Sequence, residues 1–296
     1  MHGGLRRLDG PAVLRTGYGV RPCLSGSGCR QAFVGRPAGS RYSVLQYEVL
    51  QWLLRFDMPS IAIIGRGRMG SALAAALRES GADVRGPFGR GETSPGAAIV
   101  LLCVPDREIA AASAVVQPGP IVGHVSASAS LDLLAPHERF SMHPLLSVVG
   151  VGAPFAGAYC AIDGSSERAL DAARSLAGQL GMHVRVVSRE QRALYHAAAS
   201  LASNYLVTVE GAAERLAVLV GLERDALVPL VRATVDNWAR QGARSALTGP
   251  IARGDLATAT RQRDAVSDAA PELLPLWDAL AAATRELAVA PATDAA

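Results

Sequence analysis

Ser60-Ile61-Ala62-Ile63-Ile64-Gly65-Arg66-Gly67-Arg68-Met69-Gly70-Ser71-Ala72-Leu73-Ala74-Ala75-Ala76-Leu77-Arg78-Glu79-Ser80-Gly81 is the stretch that decides how this chain folds. A β-branched run enters a G-x-G-x-x-G turn, and an Ala/Leu-rich helix closed by a glycine leaves it. The glycines have separate physical jobs. Gly65 permits the tight turn, Gly67 lets the backbone approach a pyrophosphate, and Gly70 lets helix pack close to strand. The helix start adds free N–H groups and a positive dipole end, with Arg66, Arg68 and Met69 as the side chains between the glycines. The competing reading is a glycine-rich turn in an α/β domain that binds nothing.

Outward from this unit the pattern alternates strand and helix, as in a doubly wound parallel sheet. Strands are predicted at 61–64, 83–85, 98–104, 121–124, 159–163 and 183–187. A helix spans 166–180, opened by serine capping and closed at Gly181. After Ser188 the strands stop, and helices are predicted at 191–220, 225–241, 251–260 and 271–288. The first of these is apolar nearly all round, as expected of a helix buried between domains or subunits. The fold class is therefore α/β, a Rossmann-like doubly wound parallel sheet followed by an all-α C-terminal domain. The expected division is 1–57, a Gly/Arg/Ser/Pro-rich extension read as disordered; 58–188, the dinucleotide-binding domain; and 189–296, the helical domain. Residues 44–56 could form a short amphipathic helix, and 290–296 read as a frayed end.

Composition narrows the chemistry. The chain has 296 residues, 50% of them hydrophobic, enough for two cores. All 29 basic residues are arginine, so Schiff-base chemistry and a lysine general acid are excluded. Residues 1–57 hold eight arginines against Asp9, Glu48 and Asp57, which leaves the rest slightly acidic and without a basic face for nucleic acid. No apolar run is long enough to span a bilayer and no signal peptide is evident, so a cytoplasmic location is expected. Cys23, Cys29, Cys103 and Cys160 lack C-x-x-C spacing, which suits reduced thiols rather than a disulfide framework or a metal site.

Several loops could carry chemistry. Past the second strand come Arg85 and Arg90, either of which could grip a ribose 2′-phosphate, with Glu92 only later; the balance favours NADP(H) over NAD(H). Strand 98–104 delivers Val104-Pro105-Asp106 to the carboxyl edge, where the Val104-Pro105 backbone would face the nicotinamide ribose, and Asp106 could equally stand at that edge or cap the next helix. His124 and Ser126 end the following strand at the same edge, and Ser126 could bind substrate or carboxamide. His143 reads as a loop residue beside Pro144.

On the helix after Ser188, His196, Ser200 and Asn204 lie at i, i+4 and i+8, one polar stripe on an alanine-lined face taken as buried. Such a stripe needs a ligand, a water or a network. An imidazole can donate a proton near neutral pH and an amide can hold a carbonyl, so His196 is the expected proton donor and Asn204 the orienting group. The alternative is an interhelical hydrogen-bond network. Thr248-Gly249-Pro250 would place a proline at the first position of a helix, a further anion pocket.

Taken together, Gly65 to Gly70, Val104-Pro105-Asp106, His124-Val125-Ser126, His143-Pro144-Leu145, Tyr195 to Leu206 and Thr248 to Asp255 resemble the Rossmann-like proteins with a DUF2520 C-terminal domain. They are similar to the wider 6-phosphogluconate dehydrogenase, ketopantoate reductase and pyrroline-5-carboxylate reductase group. The resemblance covers residues 58 to about 265 and implies a helical domain that often dimerises, with the cofactor in the cleft between domains. It departs at two points: the lysine that ketopantoate reductases and β-hydroxyacid dehydrogenases carry on the interdomain helix is replaced by His196, and Ala127 stands where related chains often have glycine after the serine. The expectation is an NADP(H)-dependent oxidoreductase of a small 2-oxo or 2-hydroxy acid or imine, with a ketopantoate-like substrate as the specific guess and a homodimer as the assembly. The alternative is a non-catalytic dinucleotide-binding regulator or scaffold.

Overall fold

The structure is a computed structural model and describes residues 59–92 and 96–290; the readings of 1–57 and 291–296 lie outside the described residues. Met58–Ala296 forms one compact unit. Its sheet has seven strands in the order β2-β1-β3-β4-β5-β6-β7. These are β1 Ile61–Ile64, β2 Val84–Phe88, β3 Ile99–Leu102, β4 Ile121–His124, β5 Arg139–Pro144, β6 Tyr159–Gly164 and β7 His183–Val186. β1 to β5 are parallel, β6 runs antiparallel to β5, and β7 is parallel to β6. The fold class is that of a Rossmann-like α/β domain with a helical C-terminal region, but the sheet is mixed rather than all parallel.

Alternation along the strands builds two cores, one on each face. Ile61, Ile63, Ile99, Leu101, Phe140, Met142 and Ile162 point to the face covered by α1 (Arg68–Glu79) and α3 (Glu167–Gln179), where Leu73, Leu77 and Leu176 meet them. Ala62, Val100, Leu102 and Val122 point to the other face, under Ile109 of α2 (Ile109–Ala114) and Leu134. Burying each such aliphatic side chain is worth about 1.5–3 kcal/mol. At Gly123 of β4 a Cβ would enter the ring of Phe140, so the strand passes that ring only as glycine.

β5 was not expected as a strand. Its side chains are mostly buried, Ser141 among them, and its pairing with both β4 and β6 makes it central to the sheet. On the second face the connection from β2 to β3 adds no helix among the described residues. The surface along β1, β2 and β3 there is left as a cavity rather than a packed layer.

The helical region comprises α4 (Arg192–Ser200), a π-helical turn (Leu201–Tyr205), α5 (Leu206–Leu219), α6 (Arg224–Ala246), α7 (Leu256–Ala269) and α8 (Leu274–Val289). α6 is broken at Gly242, whose φ of +76° is outside helical space. The long helix expected from 191 is thus one composite rod from α4 to α5, and it is not buried. Leu194, Leu201, Tyr205 and Val207 are 78%, 63%, 57% and 71% exposed. An apolar periodicity reports that something covers a helix, and here the covering surface is not part of Met58–Ala296 as described. The turn at Pro250 also differs from expectation, because α7 starts only at Leu256. Its N-terminus is capped by the Asp255 carboxylate, which accepts the Thr258 N–H at 3.0 Å, so it presents no anion pocket.

Candidate functional site

β1 delivers Gly65 into a turn whose geometry accounts for two of the three glycines by packing. Gly65 has φ +116°, and a Cβ there would overlap the carbonyl of Cys103. A Cβ on Gly70 would overlap the carbonyl of Gly65. Gly67 differs from both. Its φ of −69° is open to any residue, and a Cβ there meets nothing within 4 Å. Among the described residues nothing requires glycine at 67, whereas a group lying against the turn would. Gly67 also stands before α1, which has no side-chain cap and no acidic residue in its first turn. Its first N–H groups and dipole end are therefore available to an anion.

A cavity of about 1410 Å³ opens at this turn. Gly65, Arg66 and Gly67 line it on one side, Phe88 to Glu92 on another, and Val104, Pro105 and Arg107 across from them. Val104-Pro105 thus lie where the sequence placed them, at the carboxyl edge. Arg68 is exposed at the start of α1, and Met69 packs against the first core. Of the two arginines nominated for a 2′-phosphate, Arg90 lines the cavity and pairs with Glu108 at 2.9 Å. Arg85 lies within β2, beside Gly96 and 3.8 Å from the Asp83 carboxylate, outside the lining.

A second cluster of polar groups gathers at the ends of β4 and β5. His124 is fully buried, and its Nδ1 accepts the Ser126 N–H at 3.2 Å. That leaves the ring proton on Nε2, a buried donor with no acceptor among the described residues. Burial, with the Arg192 charge adding to it, pushes the His124 pKa down to about 4, so the ring is neutral near pH 7. The Ser126 hydroxyl is already committed. It donates to Asp106 at 2.7 Å and accepts the N–H groups of Ser128 and Ala129 at 3.1 and 3.0 Å. Asp106 therefore does not cap a helix; its carboxylate holds Ser126 and Ser128 instead, the latter at 2.9 Å. Taking the loop after β4 in hand costs Ser126 the free proton that a catalytic role would use.

His143 belongs to β5, not to a loop, and its Nδ1 meets the Tyr195 hydroxyl at 2.7 Å. The two rings stand edge to face. Burial first, then the charges of His196 and Arg192, lower the His143 pKa to about 4, while burial raises that of Tyr195 to about 12. With the imidazole neutral and the phenol protonated, the ring tautomer of His143 sets which of the two donates. Arg192, one turn earlier on α4, is buried against Ser141 of β5 and 3.3 Å from Asp163 of β6.

These contacts correct the polar face of α4. The residues of α4 that bond to the sheet are Arg192 and Tyr195, at i and i+3, with His196 next to Tyr195 in the chain, a spacing legible in the sequence but overlooked beside the His196–Ser200–Asn204 stripe. His196 is exposed and near enough to influence His143. Asn204 is exposed in the π-helical turn, where i→i+5 hydrogen bonding slips the helix face by about one residue and carries Asn204 off the line through His196. Its side-chain oxygen accepts from the Ser203 hydroxyl at 3.2 Å. The structure brings together Asp106, His124, Ser126, His143, Arg192, Tyr195 and His196, and leaves Asn204 one π-turn away.

Residues 158–284 match the family model described as Domain of unknown function (DUF2520). The DUF2520 match begins just before β6, so it includes β6, α3 and β7 as well as the helices. No curated protein matches the chain. Among solved structures, TM1727 from Thermotoga maritima is similar at a TM-score of 0.69 and 22% identity, over 78% of this chain and 100% of that one. BF3122 from Bacteroides fragilis, described as a candidate NADP oxidoreductase, gives 0.68 and 21% over 77% and 98%. The pyrroline carboxylate reductase of Plasmodium falciparum, solved with NADP bound, gives 0.51 and 11% over 78% and 98%. At these identities the likeness is one of fold.

Proposed function

We propose that the chain is an NADP(H)-dependent oxidoreductase acting on a small 2-oxo or 2-hydroxy acid or imine, as a homodimer. The observation that carries the cofactor reading is Gly67: a glycine that neither its φ nor its neighbours require, at the uncapped start of α1. The residues present fit a dinucleotide. Gly65 to Gly67 and the first N–H groups of α1 would hold the pyrophosphate, and Val104-Pro105 would pass along the nicotinamide ribose. The relatives described as NADP proteins support the choice of cofactor.

A bound nicotinamide would supply or accept the hydride. The chain's own part is to hold the substrate oxygen or nitrogen and to move a proton. His124 offers a buried Nε2–H that has no protein acceptor, a donor for a carbonyl oxygen of substrate or carboxamide. The Tyr195–His143 pair is held neutral and fixes the wall between α4 and β5. His196 alone of these three imidazoles is exposed, which makes it the ring that can exchange a proton with both solvent and substrate. Asn204 would orient the substrate from the π-turn.

The homodimer reading rests on the helices. Leu194, Leu201, Val207, Leu230, Trp238 and Leu256 are all more than half exposed, more large apolar surface than one chain leaves in water. The test is titration of the purified protein with NADPH, followed by turnover against a panel of 2-oxo acids and cyclic imines. Binding with oxidation of NADPH supports an enzyme; binding with no oxidation across the panel supports a dinucleotide-binding regulator.

A further inference from the structure

Four groups, from the turn after β1, from the end of β2 and from the loop that follows it, converge at the cavity. Arg66, between Gly65 and Gly67, reaches over β2 and donates from Nε to the Pro87 carbonyl at 3.2 Å. Its terminal nitrogen meets both oxygens of the Glu92 carboxylate, at 2.6 and 2.8 Å. Glu92 also accepts the Gly89 N–H at 2.9 Å. Gly89 lies directly under the guanidinium, where a Cβ would stand 3.2 Å from Arg66 Nη1. All of these except Pro87 line the cavity.

The end of the second strand is where open α/β sheets meet the adenosine ribose, with an acid for a 2′-hydroxyl and an arginine for a 2′-phosphate. Here both residue types stand at that point and are bound to each other. Arg85 reaches beside Gly96 and lies 3.8 Å from the Asp83 carboxylate, outside the cavity lining, and Arg90 is 85% exposed and held by Glu108. Arg66 is the arginine fixed over the strand end itself.

We propose that Arg66 and Glu92 form an exchangeable pair that sets the preference between NADP(H) and NAD(H). This rests on the dinucleotide reading above. Arg66 leaves Glu92 for a 2′-phosphate; without that phosphate the pair stays closed and Glu92 accepts the 2′-hydroxyl. The exchange is physically cheap. The two side chains are 62% and 41% exposed, and an ion pair in that setting shifts an equilibrium by less than about tenfold. A charge-assisted contact to a phosphate dianion is stronger, and the guanidinium fork suits it. Glu92 keeps its Gly89 N–H after the exchange but then stands as a like charge beside the phosphate. It therefore works against NADPH while Arg66 works for it.

The experiment is fluorescence titration of NADPH and NADH into wild type, Arg66→Gln and Glu92→Gln, with melting temperatures to show that the exposed substitutions leave the fold intact. Arg66→Gln should weaken NADPH about ten- to a hundred-fold and leave NADH within about threefold. Glu92→Gln should strengthen NADPH by about three- to tenfold and leave NADH equal or weaker. The proposal is overturned if both cofactors shift together in either variant, or if Arg90→Gln or Arg85→Gln carries the NADPH loss while Arg66→Gln is neutral. A wild type that binds neither cofactor overturns the dinucleotide reading and this pair with it. A wild type that binds both with an unmoved ratio in the variants overturns the pair alone.

Discussion

The Tyr195 hydroxyl and Nδ1 of His143 are hydrogen-bonded across 2.7 Å, joining the first helix of the helical region to strand β5. Burial holds the His143 pKa down near 4, so the imidazole in this bond is neutral near pH 7. Tyr195→Phe keeps the ring packing and removes the hydroxyl. It should cost about 1 kcal/mol, the net worth of one such hydrogen bond, read as a lower urea midpoint at unchanged slope.

Stability should fall as the solution is acidified from neutrality. His124 and His143 have folded pKa values of about 4, below the unfolded value near 6.5, so the unfolded chain binds more protons in between. The stability they confer is complete above about pH 6.5 and is lost as pH drops toward 4, at up to about 1.4 kcal/mol per pH unit for each histidine. Urea midpoints at pH 7.5, 6.0, 5.0 and 4.5 measure the slope. His143→Gln should remove roughly half of it, and a flat wild-type profile would contradict the assignment.

Arg192 is the clamp between helix and sheet; among the described residues its counter-charge is Asp163, and it also donates to the Ser141 hydroxyl. Asp163→Ala leaves a buried guanidinium without a counter-charge and should cost about 3–5 kcal/mol. The double variant Asp163→Ala with Arg192→Met removes both charges and should recover much of that loss. Calorimetric melting of the three proteins checks it; equal losses in single and double variants would mean that the clamp acts by shape alone.

His196→Gln keeps size and a hydrogen bond while removing the exposed ring. If His196 moves the proton, turnover on an identified substrate falls by about 10² to 10⁴-fold and NADPH affinity stays within a few-fold. A fully active variant would move the proton to bound water.

The helices should pair in solution. Sedimentation is expected to give about twice the 30.7 kDa chain mass. Leu201→Glu with Val207→Glu, on the exposed face of the rod, should yield a monomer of lower melting temperature. A wild-type monomer at micromolar concentration would end the dimer reading.

What the sequence made legible is local. The strand–turn–helix of residues 61–79 can be read because a β-branched run, three spaced glycines and an Ala/Leu-rich helix follow one another directly, and β3 because its run is uniformly apolar. β5 escaped for a physical reason. Ser141 and His143, the polar residues that blur its strand pattern, are those that meet Arg192 and Tyr195 from another part of the chain. The residues that make it part of a site are what hide it as a strand. The π-turn that carries Asn204 off the line through His196 leaves no periodic mark in the sequence. Periodicity also shows that a helix is apolar without showing what lies against it. Glu92, distant in sequence from Arg66, became visible only once the two loops were seen to meet.

The central claim is that Gly67 is glycine for the sake of a bound dinucleotide. Calorimetric titration of NADPH into wild type and Gly67→Val, with melting curves of both, tests it most directly. Position 67 has room and an ordinary φ, so the valine protein should melt within about 1–2 °C of wild type, a shift smaller than that of a 1 kcal/mol change, while NADPH binding is abolished. A folded Gly67→Val protein that binds NADPH as wild type does would contradict the account.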